Sequence, residues 1–235
     1  MRRSPLALLD LPGDTAASER DACRASFAHS LKSAIAGDEP YRHWMLQDVL
    51  PADMAAAMDA LPFPAPAVNG LSGSREIHNN TRRYIDAEAI GKYPMCAALA
   101  QAFQHPDTVA MVEDVTGARL GGCCLRIEYA QDTDGFWLQP HTDLGVKKFT
   151  LLYYLSPDGQ PDLGTDVYAD GETWSHRAPF AVGGALAFVP SDRTWHGFEP
   201  RPILGVRKSL IINYVTQEWR AREQLAYPDN PVSGR

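Results

Sequence analysis

"HTDLGVKKFTLLYYL", residues 141–155, decides the fold. From Lys148 to Leu155 the chain is dense in aromatic, aliphatic and β-branched residues, the composition of a strand. Thr150 and Tyr154 fall on the same face of that strand, because side chains alternate with a period of two. Immediately before it stand His141 and Asp143, two apart. In an extended chain two such residues point the same way, so an imidazole nitrogen and a carboxylate oxygen are aimed at one point on the rim of a sheet.

Working outward from this strand, "CCLRIEY" (123–129), "GTDVYA" (164–169), "GALAFVP" (184–190) and "RKSLIINYV" (207–215) also read as strands, with turn signals such as "SPDGQPDLG" and "AVGG" between them. In 207–215 one face carries Arg207, Ser209, Ile211 and Asn213, and the other Lys208, Leu210, Ile212 and Tyr214. The second face is too apolar for water and needs cover. Upstream of residue 122 the periodicity is helical. A helix is predicted from Ser18 to about Ala36, stopped by Gly37, and others over Pro51–Ala60, 94–104 and 107–116, the last closed by Gly117. Residues 62–74 read as a loop and the tail "YPDNPVSGR" as loose. Helices followed by a β-rich block predict an α+β protein that is mainly β, with the N-terminal helices covering one sheet of a sandwich.

The chain has 235 residues, the length of one large domain. Its net charge of −7 argues against nucleic acid or an anionic membrane as a partner, since both demand clustered positive charge. No apolar run reaches the ~18–20 residues of a membrane helix. The start, "MRRSPLALLDLPGD", is broken by Asp10 and Pro12 and does not read as a signal peptide. Cys23, Cys96, Cys123 and Cys124 form no C-x-x-C pair and read as small buried thiols, so the expected location is the cytoplasm.

An H-x-D pair is by itself a weak signal, common in polar loops. Two histidines and one carboxylate on one face of an octahedron, however, hold non-haem Fe(II), and His141 and Asp143 supply two of those three ligands. His196, in "SDRTWHGFEP" just beyond a predicted strand, is the candidate for the third. His29, His43 and His105 sit in or beside predicted helices, His78 in a basic loop and His176 between strands. Arg207 then opens the last strand with Ser209 on its face. A buried guanidinium demands an anion, and its fork suits a carboxylate, with Thr150 and Tyr154 able to add hydroxyl bonds. The plainer alternative for Arg207 is an edge-strand arginine paired to a surface acid. With three protein ligands on the metal, a 2-oxo acid can fill two more positions and O2 the last.

From about Cys123 to Thr216 the chain resembles the iron(II)/2-oxoglutarate-dependent dioxygenases, in particular their prolyl-hydroxylase-like branch. The matching pieces, in order, are "RIEY", "QPHTD", "FTLLYYL", "GGALAFVPSDRTWHGFEP" and "GVRKSLIINY". The resemblance implies a double-stranded β-helix (jelly roll) over 123–216, with 1–122 as helical support and substrate lid and 217–235 as a C-terminal helix and tail. It implies Fe(II) held by His141, Asp143 and His196, and 2-oxoglutarate held through its far carboxylate by Arg207, with Tyr129 and Tyr154 beside it. Many members carry lysine at the anchor position, where this chain has arginine. Asp143 is kept where halogenases of the family have a small residue, which favours hydroxylation.

For the substrate, "SREIHNNTRRY" (74–84), with Arg75, Asn79 and Arg82, is expected to form a lid over a polar, carboxylate-bearing molecule, or else a solvated loop. Phe136, Trp137 and Trp195 flank the predicted ligands as pocket walls or else as core, and Arg193, a further substrate candidate, can face either way. Three readings follow: hydroxylation of a small molecule such as an amino acid or natural-product intermediate, hydroxylation of a protein or peptide residue, and a cupin-like metal-binding protein that uses no O2.

Overall fold

The computed structural model describes residues 12–66, 73, 82–143 and 145–234. Its first part holds α1 (Pro12–Lys32), β1 (Ile35–Gly37), β2 (His43–Leu46), α2 (Ala52–Asp59), β3 (Arg83–Tyr84), α3 (Ala87–Lys92), α4 (Pro94–Gln104) and α5 (Pro106–Thr116). The second holds β4 (Cys124–Thr133), β5 (Leu138–His141), β6 (Lys147–Ser156), β7 (Asp166–Tyr168), β8 (Trp174–Arg177), β9 (Ala185–Phe188), β10 (His196–Phe198) and β11 (Val206–Val215). Among the described residues these strands build a seven-stranded sheet, β1-β2-β9-β6-β11-β4-β3, and a four-stranded sheet, β5-β10-β7-β8. All their pairings are antiparallel. From β4 to β11 the chain passes back and forth between the two sheets, which is the double-stranded β-helix expected from the sequence.

The two faces of the large sheet follow from alternation. Leu125, Ile127 and Tyr129 of β4, Phe149, Leu151 and Tyr153 of β6, and Leu210, Ile212 and Tyr214 of β11 are buried in one core with α1, α2, α4 and α5. Burying each such side chain contributes roughly 1.5–3 kcal/mol. Tyr214 also donates its hydroxyl to the Phe103 carbonyl at 2.6 Å, tying α4 to the sheet. α5 begins and ends where the sequence places its signals. Pro106 opens α5 while the His105 side chain caps it, and Gly117, at φ 75°, closes it with its N–H on the Glu113 carbonyl. The opposite face of the sheet looks into the sandwich and carries the chemistry.

Four expectations are corrected. The first helix spans Pro12–Lys32, and Ile35–Gly37 is an edge strand instead of its last turn, because β1 finds a partner in β2. His43 lies in β2, and its ring stacks on that of His176 in β8 with centroids 5.5 Å apart. Among the described residues of 217–234 there is no α-helix, only a 3-10 turn at Arg222–Gln224. The tail is not loose: Ala226 N–H bonds to the Leu125 carbonyl, Val232 N–H to the Cys123 carbonyl, and the Val232 carbonyl accepts from Gly122. It covers the stretch of the β4 edge that two-residue β3 leaves unpaired, and buries Leu225 and Val232 in doing so.

All four cysteines are buried and unbridged. No described helix is long and apolar enough to cross a membrane.

Candidate active site

β5 and β10 bring the three predicted ligands together. The strands are antiparallel, and His141, the last residue of β5, stands directly across from His196, the first of β10. Their ring centroids are 4.4 Å apart. Asp143 follows two residues after His141, and ligand atoms of the three side chains lie within 4.8 Å of one another. His141 Nδ1 lies 3.0 Å from the Gln139 carbonyl and His196 Nδ1 2.9 Å from the Thr194 carbonyl. A carbonyl accepts only, so each Nδ1 carries the proton and each Nε2 presents its lone pair toward the shared point. Two neutral imidazoles and a carboxylate on one side of a point are the donor set of a ferrous centre with open positions, so the residues fit the metal that the sequence implies.

Asp143 is held from both sides. Thr150 donates to Oδ2 at 2.9 Å, and the buried Lys147 ammonium lies 2.6 Å from Oδ1. The Thr150 oxygen accepts from Asn213 Nδ2 at 2.9 Å, and Asn213 Oδ1 accepts from Arg126 at 3.2 Å. Arg126 and Arg82 then share Glu128, at 2.9 and 3.2 Å. A continuous buried chain of polar groups thus backs the carboxylate ligand. Thr150, expected beside Arg207, belongs to this chain. It lies across β11 from Asn213, whereas Tyr154 lies across from Ser209 near Arg207.

A cavity of about 90 Å³ between the sheets reaches from His196 to Arg207, Ser209 and Thr165. Arg207 is buried. Its Nε donates to the Leu163 carbonyl at 2.7 Å and its Nη1 to Asp132 Oδ2 at 2.5 Å. Its guanidinium carbon sits 4.7 Å from the centroid of the Phe198 ring. So Arg207 is neither at a sheet edge nor paired to a surface acid. It is in a central strand with a buried acid, its direct cross-strand partner. Tyr154 donates its hydroxyl to Thr165 at 3.1 Å in the same region. Ser209 Oγ is buried with no hydrogen-bond partner in the protein, an orphan polar atom of the kind a bound carboxylate satisfies. Arginine, an orphan hydroxyl and polar walls fit the far end of a dicarboxylate.

Tyr129 is corrected. It lies on the helix side of β4, where its hydroxyl donates to the Asp59 carbonyl at 3.3 Å and its ring packs edge-on against Phe63. It shares parity with Leu125 and Ile127, whereas Arg126, Glu128 and Asp132 face inward.

A second cavity, about 1020 Å³, opens on the other side of His141. Arg82, Arg126, Lys147 and Arg220 line it together with Glu218, Glu223, Tyr84 and Trp219. The Arg126 guanidinium lies 4.8 Å from the rings of both Tyr84 and Trp219, which hold it as a flat wall. Of the predicted substrate residues that are described, only Arg82 lines either of these two cavities. Arg75 and Asn79 lie outside the described residues, as does most of the expected lid. Trp137 packs against Gly73, whose N–H donates to the Trp137 carbonyl at 2.9 Å. Arg193 is exposed, and Trp195, adjacent to inward-facing His196, turns outward over Gly171. Asp132, Lys147, Asn213 and Arg126 were missed. The alternation of "LRIEY" could have found Arg126, since Leu125, Ile127 and Tyr129 are apolar while Arg126 and Glu128 are charged, and Asp132 falls on the same parity as that pair.

No protein-family model matches the sequence, and no curated protein sequence does. Solved structures match by shape. A prolyl-4-hydroxylase from Pseudomonas putida aligns at 19% identity and a TM-score of 0.55, covering 82% of this chain and 98% of that one. A Trichoplax adhaerens prolyl hydroxylase, in complex with a hypoxia-inducible-factor oxygen degradation domain peptide fragment, aligns at 14% identity and 0.55, covering 87% and 94%. An oxidoreductase of the 2OG-Fe(II) oxygenase family from Burkholderia pseudomallei aligns at 17% and 0.53, covering 89% and 92%. The chain therefore has the fold of the iron(II)/2-oxoglutarate oxygenases, in the form seen in the prolyl hydroxylases.

Proposed function

We propose that the protein is an Fe(II)- and 2-oxoglutarate-dependent dioxygenase that hydroxylates an unactivated C–H bond of a small molecule. One observation carries the reading: His141, Asp143 and His196 converge at one end of an inner cavity whose other end holds a buried arginine and an orphan hydroxyl. A dicarboxylate with a 2-oxo group at one end matches both. When bound, ferrous iron supplies the O2 chemistry that converts 2-oxoglutarate to succinate and CO2 and places one oxygen atom in the substrate.

The chain's own residues do the rest. His141 and His196 are fixed in one tautomer by their carbonyl partners. Lys147 and Thr150 hold Asp143 in place, and the lysine offsets the carboxylate's charge. Arg207 and Ser209 grip the far carboxylate, with Tyr154 and Thr165 forming the polar wall beside them. Phe198, Leu152 and Ile211 line this cavity and keep water from the reacting groups.

The larger cavity beside His141 takes the substrate. Four basic and two acidic side chains line it, which favours a carboxylate-bearing molecule. Its volume of about 1020 Å³ is at the upper end of the range for small-ligand sites. That size also favours a second reading, a short peptide or a residue of a protein, as in the peptide complex of the Trichoplax adhaerens enzyme.

Anaerobic addition of 2-oxoglutarate to the Fe(II) protein is expected to produce a visible charge-transfer band, and a cupin-like protein that uses no O2 would give none. With O2 admitted, amino acids, acylated amino acids and short peptides are screened for stimulated succinate release. Metal-replete protein that makes no succinate with or without any of them ends the reading. Asp143→Ala, which removes a ligand and its charge, is expected to abolish turnover.

A further inference from the structure

We propose that 2-oxoglutarate binding is coupled to the uptake of one proton at Asp132, which makes this buried acid a determinant of co-substrate affinity. The inference rests on the co-substrate reading above. Arg207 is not an isolated cation waiting for an anion. Asp132 stands directly across from it in the β4–β11 ladder and accepts from Nη1 at 2.5 Å, and both side chains line the inner cavity. The guanidinium has five N–H donors. Asp132 and the Leu163 carbonyl take two of them, so donors remain for a second carboxylate. The limit is charge. One cation between two buried carboxylates leaves a net negative charge in a dry site, and two carboxylates sharing a site do not both stay ionised easily.

The surroundings decide which group takes the proton. Arg82 and Glu128 also act on Asp132, but they are bound to each other at 3.2 Å. Arg201, which acts on Arg207, is held by Asp166 at 2.6 Å. Tyr154 donates its hydroxyl to Thr165 and brings no cation. Among the described residues no neighbouring cation is therefore uncommitted, and the added negative charge falls on Asp132. Burial already pushes the Asp132 carboxyl above the usual carboxylate range, against the pull of Arg207. A second anion on the same arginine weakens that pull and raises it further. The incoming far carboxylate, solvated and strongly acidic in water, remains ionised and takes the guanidinium donors, while Asp132 is neutralised and loses only one charge-assisted bond.

The sign follows. A group whose pKa rises on binding takes up a proton, so affinity is highest at low pH. It falls by up to about tenfold per pH unit wherever Asp132 is ionised in the free protein and protonated in the complex.

The test is calorimetric titration of 2-oxoglutarate into the full-length protein loaded with Mn(II), without O2, from about pH 6 to pH 9. Each pH is repeated in buffers of different ionisation heat, which counts the protons taken up. Wild type is expected to take up close to one proton per molecule bound within this range, and Asp132→Asn close to none, with a flatter pH profile. 2-Oxopentanoate, which lacks the far carboxylate, should bind without the uptake and so separates Asp132 from protonation at the metal. The wild-type comparison of the two acids stands even if the variant fails to fold. The proposal is overturned if 2-oxoglutarate binds wild type with no proton uptake, or if 2-oxopentanoate or Asp132→Asn shows the same uptake. Failure of wild type to bind 2-oxoglutarate at any pH overturns the co-substrate reading itself, and this inference with it.

Discussion

The two faces of β4, β6 and β11 differ as sharply as two proteins. Toward the helices stand Leu125, Ile127, Tyr129, Phe149, Leu151, Tyr153, Leu210, Ile212 and Tyr214, all buried in one core. Toward the small sheet the same strands turn Arg126, Glu128, Asp132, Thr150, Arg207, Ser209 and Asn213, also buried, and all but Ser209 joined by ion pairs and hydrogen bonds. Burial on the first face removes apolar area from water and stabilises the fold. On the second face it removes charged groups from water, which costs stability unless each finds a partner. One face thus supports a second that would not be stable alone. The polar face is tolerated for what it positions: Asp143 at one end through Thr150 and Asn213, and Arg207 at the other.

If the faces divide labour in this way, substitutions on them fail in different ways. The largest effect on stability is expected from Leu210→Ala. This side chain is fully buried among the helices, and its truncation should cost about 2–5 kcal/mol. Chemical denaturation measures that loss. Succinate formation per folded molecule should stay near wild type, and a collapse of turnover in protein that is still folded would break the division. Next comes Thr150→Val, which keeps the shape and removes one donor to Asp143. A group backing a metal ligand typically supplies 10–100-fold in metal affinity or activity, so Fe(II) affinity should fall by about that range. Denaturation should show a smaller loss, about 1–3 kcal/mol for the buried groups left unsatisfied. Thr150→Ser restores the donor and should restore metal affinity. Unchanged affinity in the valine variant would remove the polar chain from its supporting role.

This division was legible in the sequence wherever strands are long. β6 and β11 run for ten residues each, so their alternation was plain and the need for cover on the Leu210 face could be read directly. β5, β10 and β8 have four, three and four residues, too few for a period to emerge, and they exist because neighbours pair with them. His141 and His196 were found by chemistry instead, from ligand type and from position at the ends of predicted strands. Parity gave Thr150 its correct face but not its place along it. Four residues of strand, about 13 Å, separate it from Tyr154, enough to move it from one end of the cavity to the other. The tail was missed because its polar composition hides Leu225 and Val232. What holds it is the unpaired edge of β4, a feature of the assembled sheet and of no single segment.

The smallest expected effect gives the sharpest comparison of the two faces. Tyr129 carries a hydroxyl on the apolar face, and its only described hydrogen bond is a long one to the Asp59 carbonyl, 3.3 Å. Tyr154 carries the same group inward, bonded to Thr165 beside Arg207. Tyr129→Phe keeps the edge-on packing against Phe63 and removes one ordinary hydrogen bond, so denaturation should register a loss of about 0.5–1.5 kcal/mol or less. 2-Oxoglutarate affinity should not change, because the phenol points away from the cavity. Tyr154→Phe, the identical atomic deletion on the other face, should weaken 2-oxoglutarate binding, since it takes away a donor and frees Thr165 from its partner. If instead Tyr129→Phe weakened the co-substrate and Tyr154→Phe did not, the orientation of β4 and β6 assigned above would be reversed. With it would go the claim that parity along these strands sorts support from chemistry.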